Sequence, residues 1–98
     1  MKLKDISETF EKDLQDPEFV QMYLEEALND GVPNFLLALR SVVQANKGMT
    51  AVAQENDLGR ESLYKTLSDV GNPQFITIEK ILRSLGMRLT VAPELVAK

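Results

Sequence analysis

The sequence predicts an all-α fold that is followed by one short β-strand. Apolar residues recur at helical spacing in five segments between residues 17 and 86, which is the pattern of amphipathic helices. The period then changes to two over residues 87–91, where Met87, Leu89 and Val91 share one side, as in a half-buried strand. A length of 98 residues fits one domain.

The chain contains neither cysteine nor histidine. Disulfides and thiolate metal sites are therefore excluded, and so is the most common general base. We expect no enzyme activity, no metal and no cofactor. No apolar run approaches the roughly 20 residues that span a bilayer, and the N-terminus lacks the apolar core of a signal peptide. The expected location is the cytoplasm, without membrane contact.

The first two helices have clear start and stop signals. Asp16, Pro17 and Glu18 supply an N-cap, a first-turn proline and a first-turn carboxylate, and Gly31 ends that helix. The second helix follows Pro33 and closes near Gly48. Its apolar face is wide enough for the centre of a bundle.

The next segment has the spacing of a helix-turn-helix, with helices at about residues 49–56 and 60–68. Val52 and Ala53 give the first helix a small apolar face, and Leu58 lies in the turn. Leu63 and Leu67 supply the inner face of the second helix. Four polar side chains remain for its outer face, as a DNA-recognition helix requires: Arg60, Glu61, Tyr64 and Lys65. An ordinary helical hairpin with a solvated face has the same spacing.

The last helix is expected to begin with Thr77 as its N-cap and to end at Gly86. The strand at residues 87–91 needs a partner, because an unpaired strand leaves its backbone groups unsatisfied. The same strand of a second copy would supply one, which predicts a homodimer that uses Met87, Leu89 and Val91. A strand paired within the chain, or an extended tail, is the alternative.

Acidic residues are concentrated in the first third of the chain. Residues 1–30 have a net charge of −6, whereas residues 31–98 have a net charge of +2. This division suggests one surface for nucleic acid and another for a basic protein, although an acidic helix face can simply aid solubility. If residues 1–15 are helical, their apolar side chains form one stripe that could dock on a partner: Leu3, Ile6, Phe10 and Leu14.

Several motifs resemble one family, the probable addiction-module antidote proteins, which are HigA-like antitoxins with a helix-turn-helix related to phage Cro and repressor domains. The matching strings are Tyr-Leu-Glu-Glu-Ala-Leu at 23–28, Lys-Gly-Met-Thr at 47–50, Val-Ala at 52–53, Arg-Glu-Ser-Leu-Tyr-Lys at 60–65, Gly-Asn-Pro at 71–73 and Leu-Gly-Met-Arg-Leu at 85–89. The resemblance implies a five-helix bundle of the phage-repressor type in a DNA-binding domain at residues 16–92. An acidic arm at 1–15 precedes it, and a tail at 93–98 follows.

The resemblance also implies two partners. One is a small basic toxin of the RelE/HigB/ParE type, and the other is the operator of the protein's own operon. Matching positions suggest DNA contacts by Thr50, Arg60, Glu61, Ser62, Tyr64 and Lys65. For the toxin, the acidic third of the chain suggests Phe10, Leu14, Glu18, Glu25 and Glu26.

Two turn positions depart from the family pattern. Asp57 stands where glycine is usual, and Gly59 stands where serine usually caps the recognition helix. Asp tolerates a left-handed conformation better than most residues, and Gly is a weaker cap. Two alternative functions therefore remain open. One is a prophage Cro-like repressor without a toxin, and the other is a protein-interaction module that does not bind DNA.

Overall fold

The computed structural model describes residues 9–94. These residues contain the helices α1 (Pro17–Asp30), α2 (Val32–Ala45), α3 (Met49–Glu55), α4 (Arg60–Thr66) and α5 (Phe75–Ser84). Residues 9–13 form one further helical segment ahead of α1. The predicted all-α class is confirmed. In this part of the chain no helix is long and apolar enough to cross a membrane.

The start of α1 follows the local sequence signals. The Asp16 carboxylate accepts a hydrogen bond from the Glu18 N–H at 3.1 Å, which satisfies one of the free donors of the first turn. Pro17 occupies the first turn, and Gly31 separates α1 from α2 with a φ of 130°. That φ is readily adopted only by glycine, so the two helices change direction at this residue.

The core is built around α2. Six of its side chains are buried, and α1 packs along it on one side while α3 packs against it on another. The remaining helices complete the core through Leu63 of α4 and through Ile81 and Leu82 of α5. Each fully buried aliphatic side chain contributes about 1.5–3 kcal/mol. The buried residues of α2 are Leu36, Ala38, Leu39, Val42, Val43 and Ala45.

The helical segment at residues 9–13 is held against the C-terminal end of α2. Asn46 Nδ2 donates to the Leu14 carbonyl at 2.8 Å, and Gln15 Nε2 donates to the Ala45 carbonyl at 2.8 Å. Leu14 is buried in the core. The described part of the predicted arm is therefore packed on the bundle. Leu3 and Ile6, the other two members of the predicted apolar stripe, lie outside the described residues.

The start of α5 differs from the prediction. The helix begins at Phe75 with Gln74 as its N-cap, because the amides of Thr77 and Ile78 both donate to the Gln74 carbonyl. Thr77 therefore lies inside the helix. Phe75 and Ile76 are 74% and 55% exposed, so the inward-facing apolar pattern begins only at Ile78. The helix ends as predicted, with Gly86 at a φ of 78°.

The predicted C-terminal strand is wrong for the single chain, since residues 9–94 contain no β-strand. A strand requires a hydrogen-bonded neighbour, and the Met87 amide instead donates to the Leu82 carbonyl at 2.8 Å, which completes the cap of α5. Residues 87–90 run without regular structure beside a groove lined by residues of α1, α2 and α5. Pairing with a second copy stays a prediction.

Candidate nucleic-acid interface

The connection between α3 and α4 is a tight turn of four residues, Asn56 to Gly59. The Leu58 amide donates to the Ala53 carbonyl at 2.8 Å, and the Asp57 amide donates to the Gln54 carbonyl at 3.3 Å. This double hydrogen bond is the Schellman end of a helix, which needs a left-handed residue. Asp57 takes that conformation with a φ of 55°.

Helix α4 has one buried side and one exposed side. Leu63 and the C-cap residue Leu67 are completely buried. The predicted DNA contacts Arg60, Glu61, Ser62 and Lys65 are exposed, Tyr64 is half-buried, and Thr50 is exposed in the first turn of α3. All six predicted DNA-contact residues are therefore accessible. Gly59 caps α4 without a side-chain hydrogen bond.

Tyr64 is the centre of a polar cluster that joins α4 to α2. The guanidinium carbon of Arg60 lies 5.5 Å from the Tyr64 ring centroid, and that of Arg40 lies 5.9 Å from it. These distances allow cation–π attraction. Gln44 Nε2 donates to the Tyr64 hydroxyl oxygen at 3.5 Å. Residues from two helices thus meet on one aromatic ring.

The surroundings of Tyr64 also affect its hydroxyl group. The hydrogen bond from Gln44 lowers the pKa of Tyr64 below its ordinary value of 10.0, partial burial opposes this effect, and Arg60 and Arg40 lower it further. Hydrogen bonds and positive charges that favour the phenolate act in this direction. Two positively charged side chains therefore lie beside the ring, although the whole chain has a net charge of −4.

Arg40 and Gln44 were not among the predicted site residues. They lie four residues apart on α2, where they are the two long polar side chains of a mostly apolar helix. That pattern is the signal in the sequence that could have identified them. Their convergence with α4 depends on tertiary packing.

The cations of this surface are not neutralised by nearby carboxylates. Among residues 9–94, the ion pairs are Lys47–Glu55 at 2.8 Å and Arg83–Glu79 at 2.7 Å. Arg40, Arg60 and Lys65 belong to neither pair. Glu61 is an acidic residue in the first turn of α4, where it opposes a negatively charged ligand.

The predicted toxin surface lies on α1 and the segment before it. Glu18, Glu25 and Glu26 are exposed. Phe10 is 42% exposed, and its ring meets Tyr23 edge-on at 5.7 Å between centroids. Leu14 requires a correction, because it is 3% exposed and belongs to the core. It cannot contact a partner unless the packing of the core opens.

The predicted dimer residues are not equally accessible. Met87 packs against the core of its own chain, whereas Leu89 is 38% exposed and Val91 is 96% exposed. The part of this segment that remains available to a second copy is therefore centred on Leu89 and Val91.

Comparison with known proteins gives a family. Residues 4–93 match the family model described as probable addiction module antidote protein. The chain is also 37% identical over 79 residues to a Haemophilus influenzae protein described as uncharacterized, and the match covers 80% of each chain. No solved structure matches the chain. The chain therefore belongs to the family of probable addiction module antidote proteins.

Proposed function

We propose that this protein is the antitoxin of a type II toxin–antitoxin module, and that it also represses its own operon. Membership of the antidote family supports the antitoxin role and implies a toxin partner. The observation that carries the DNA-binding role is the row of polar side chains on α4, opposite its buried Leu63. A recognition helix needs one packed side and one accessible polar side.

In this proposal α4 enters the major groove, with α3 crossing the backbone beside it. Arg60, at the start of α4, and Lys65, in its last turn, supply positive charge. Ser62 and Thr50 can donate to phosphate or to base edges. Glu61 can accept a hydrogen bond from cytosine N4, which would make it a specificity element.

The toxin partner is proposed to be a small basic protein of the RelE/HigB/ParE type. The exposed carboxylates of α1 would attract it, since complementary charge raises the association rate. Phe10 would add an apolar contact, because charge alone seldom gives a long-lived complex. This surface and α4 lie on different helices, so toxin and operator could bind to separate sites.

The functional unit is proposed to be a homodimer. Leu89 and Val91 are exposed apolar residues in a segment with the alternation of a strand. Pairing of two such segments about a dyad would give each strand the neighbour that it lacks. Two copies of α4 about one helical turn of DNA apart, roughly 34 Å, would then read a palindromic operator.

Two experiments test the proposal. In the first, the product of the adjacent gene is expressed with and without this chain, growth is scored, and a complex of the two proteins is sought by co-purification. The purified chain is then titrated onto duplex DNA from upstream of its own gene, with an unrelated duplex of equal length as control. We expect growth rescue, a stable complex and tighter binding to the upstream DNA. Absence of rescue and of a complex would contradict the antitoxin role.

The net charge of −4 and the carboxylate of Glu61 on α4 favour a second candidate, a module that neutralises its partner without binding DNA. That candidate predicts growth rescue with no preference for the upstream duplex. A Cro-like repressor without a toxin predicts no growth rescue, together with tighter binding to the upstream duplex.

A further inference from the structure

We propose that Arg40 of α2 and Arg60 of α4 together form a binding site for the DNA backbone phosphates, with the Tyr64 ring as the platform that holds them. This site rests on the DNA-binding part of the proposed function. It extends the DNA footprint from α4 onto α2 and assigns Arg60 to the backbone instead of to a base.

The first argument is that the side chains are held in place. Both guanidinium groups lie within 6 Å of one ring centroid, at 5.9 Å for Arg40 and 5.5 Å for Arg60. Tyr64 is itself half-buried beside the fully buried Leu63, and Arg40 follows the fully buried Leu39. Side chains that are already ordered lose less conformational freedom when a ligand binds.

The second argument is the charge at the site. Both arginines carry a positive charge beside one ring, and neither belongs to an ion pair formed by residues 9–94. The pKa of Tyr64 is lowered first by its hydrogen bond from Gln44 and further by Arg60 and Arg40, which agrees with two positive charges beside the ring. Both charges are therefore available to an anion. The planar guanidinium group matches phosphate geometry and can bind it through two hydrogen bonds.

The third argument is the position of the site in the fold. Gln44 and Arg40 lie one helical turn apart on α2, and both reach Tyr64 of α4. Phosphate contacts carry no sequence information, but they fix how the recognition helix lies in the groove. Arg40 is therefore expected to orient α4 on the duplex without reading bases.

The test uses the full-length chain and two labelled duplexes, the upstream DNA and an unrelated sequence of equal length. Affinity is measured by fluorescence anisotropy over a salt series from about 50 to 200 mM, since each phosphate contact contributes about 0.9 to the salt slope. Arg40→Gln removes the charge. The matched control is Arg88→Gln, which makes the same change at an exposed residue beside the groove of α1 and α5.

We expect Arg40→Gln to lower the salt slope by about 0.9 on both duplexes, whereas Arg88→Gln leaves it unchanged. Arg40→Lys should restore the slope, because the charge returns. If Arg40→Gln folds poorly, Arg40→Met, which keeps an unbranched stem, is the second neutral variant. Circular-dichroism melting checks that the neutral variants are folded. Their thermal midpoint should fall only slightly, because the lost contact between Arg40 and the Tyr64 ring is a weak one.

An unchanged salt slope in the folded neutral variants would overturn the phosphate site. If Lys65→Ala weakened binding to the upstream duplex while the Arg40 variants had no effect, α4 would still bind the operator and only the phosphate site would be rejected. A loss confined to the upstream duplex would also overturn the proposal, because it would make Arg40 a base-reading residue. Absence of binding to either duplex by the unmodified chain would overturn both the site and the DNA-binding function.

Discussion

At the residue scale, the turn between α3 and α4 contains a local conflict between side chain and backbone. Asp57 has a φ of 55°, a conformation in which a side chain crowds the following carbonyl. The turn still forms because Leu58 packs against the core and its amide bonds to the Ala53 carbonyl. The left-handed conformation of Asp57 therefore lowers the free energy of unfolding of the protein.

We expect Asp57→Gly to stabilise the protein by about 0.5–1 kcal/mol, because glycine takes the left-handed conformation without strain. This figure is the net gain after the greater conformational entropy of glycine in the unfolded chain is subtracted. Urea denaturation at one fixed protein concentration measures this change. Asp57→Val is the control, with an expected loss of about 1–2 kcal/mol. Equal stability of the Gly and Val variants would contradict the explanation by strain.

Gly71 illustrates the opposite situation, in which glycine is required by space. A Cβ atom at this position would collide with the carbonyl group of Thr66 at the end of α4. The Gly71 amide donates to the Ser68 carbonyl at 3.0 Å. The loop therefore passes directly against backbone that cannot move aside. The Gly71-Asn72-Pro73 string is thus explained by close approach and not only by a turn.

Gly71→Ala is expected to destabilise the protein by about 1–3 kcal/mol, since the clash must be relieved by a backbone shift. Gly59→Ser is the matched control. A Cβ at Gly59 has its nearest neighbour, Ser62 Oγ, at 3.9 Å, and serine is a better N-cap by a few tenths of a kcal/mol. Thermal and urea melts of both variants provide the comparison. A stable Gly71→Ala protein would mean that the loop is not held in this position.

At the scale of the element, α4 combines residues with different expected roles on one helix. Leu63 attaches the helix to the core, Arg60 lies on the Tyr64 ring, and Lys65 is exposed in the last turn. Because Arg60 lies against the Tyr64 ring of its own helix, we expect Lys65, the other cation of α4, to reach a base edge. The two residues should therefore affect DNA binding in different ways.

Lys65→Ala is expected to cost about 1–3 kcal/mol on the upstream duplex and less on unrelated DNA, as loss of a base contact does. Arg60→Ala should weaken binding to both duplexes equally and lower the salt slope by about 0.9. Anisotropy titrations on the two duplexes distinguish these results. Unchanged affinity in both variants would remove α4 from the DNA interface.

At the scale of the whole molecule, the surfaces for DNA, for a second copy and for the toxin are proposed on separate parts of the bundle. The dimer proposal is tested at exposed residues and not at Met87, because Met87 caps α5 and packs against the core of its own chain. The double variant Leu89→Glu with Val91→Glu leaves that cap in place. Thr90→Glu changes the intervening residue, which lies on the other side of a strand with period two.

Sedimentation equilibrium should show monomers for the double variant and dimers for Thr90→Glu and for the unmodified chain. The reason is that charges placed directly opposite each other across a dyad disfavour pairing. A double variant that stays dimeric would place the dimer contact elsewhere in the bundle.

The acidic surface is tested by changing Glu18, Glu25 and Glu26 to glutamine. We expect slower association with the basic toxin and a weaker dependence of that rate on salt. Phe10→Ala should instead speed dissociation, because an apolar contact is lost. Stopped-flow mixing and surface plasmon resonance measure the two rates.

A second triple variant provides the control for net charge. It changes three other exposed acids, Glu61, Asp69 and Glu94, to their amides. If both triple variants slowed association equally, the effect would come from net charge and not from the surface of α1.

The sequence by itself determined what depends on near neighbours along the chain. The Asp16 cap, the Gly31 boundary and the first residues of α3 and α4 could all be predicted, because capping and amphipathic periodicity act within one or two helical turns. The predicted end of α4, residue 68, is two residues beyond the observed end at Thr66. The exposure of the polar side of α4 followed from the burial of Leu63 and Leu67 on its opposite side.

Only the tertiary structure decided the features that join distant segments. Leu14 is buried in the core, and its carbonyl accepts a hydrogen bond from Asn46. The Met87 amide caps α5 instead of entering a strand. Arg40 of α2 lies against the Tyr64 ring of α4. The spacing of apolar residues shows which side of a segment turns inward, but not which segment covers it. Those contacts are set by how whole helices pack around α2.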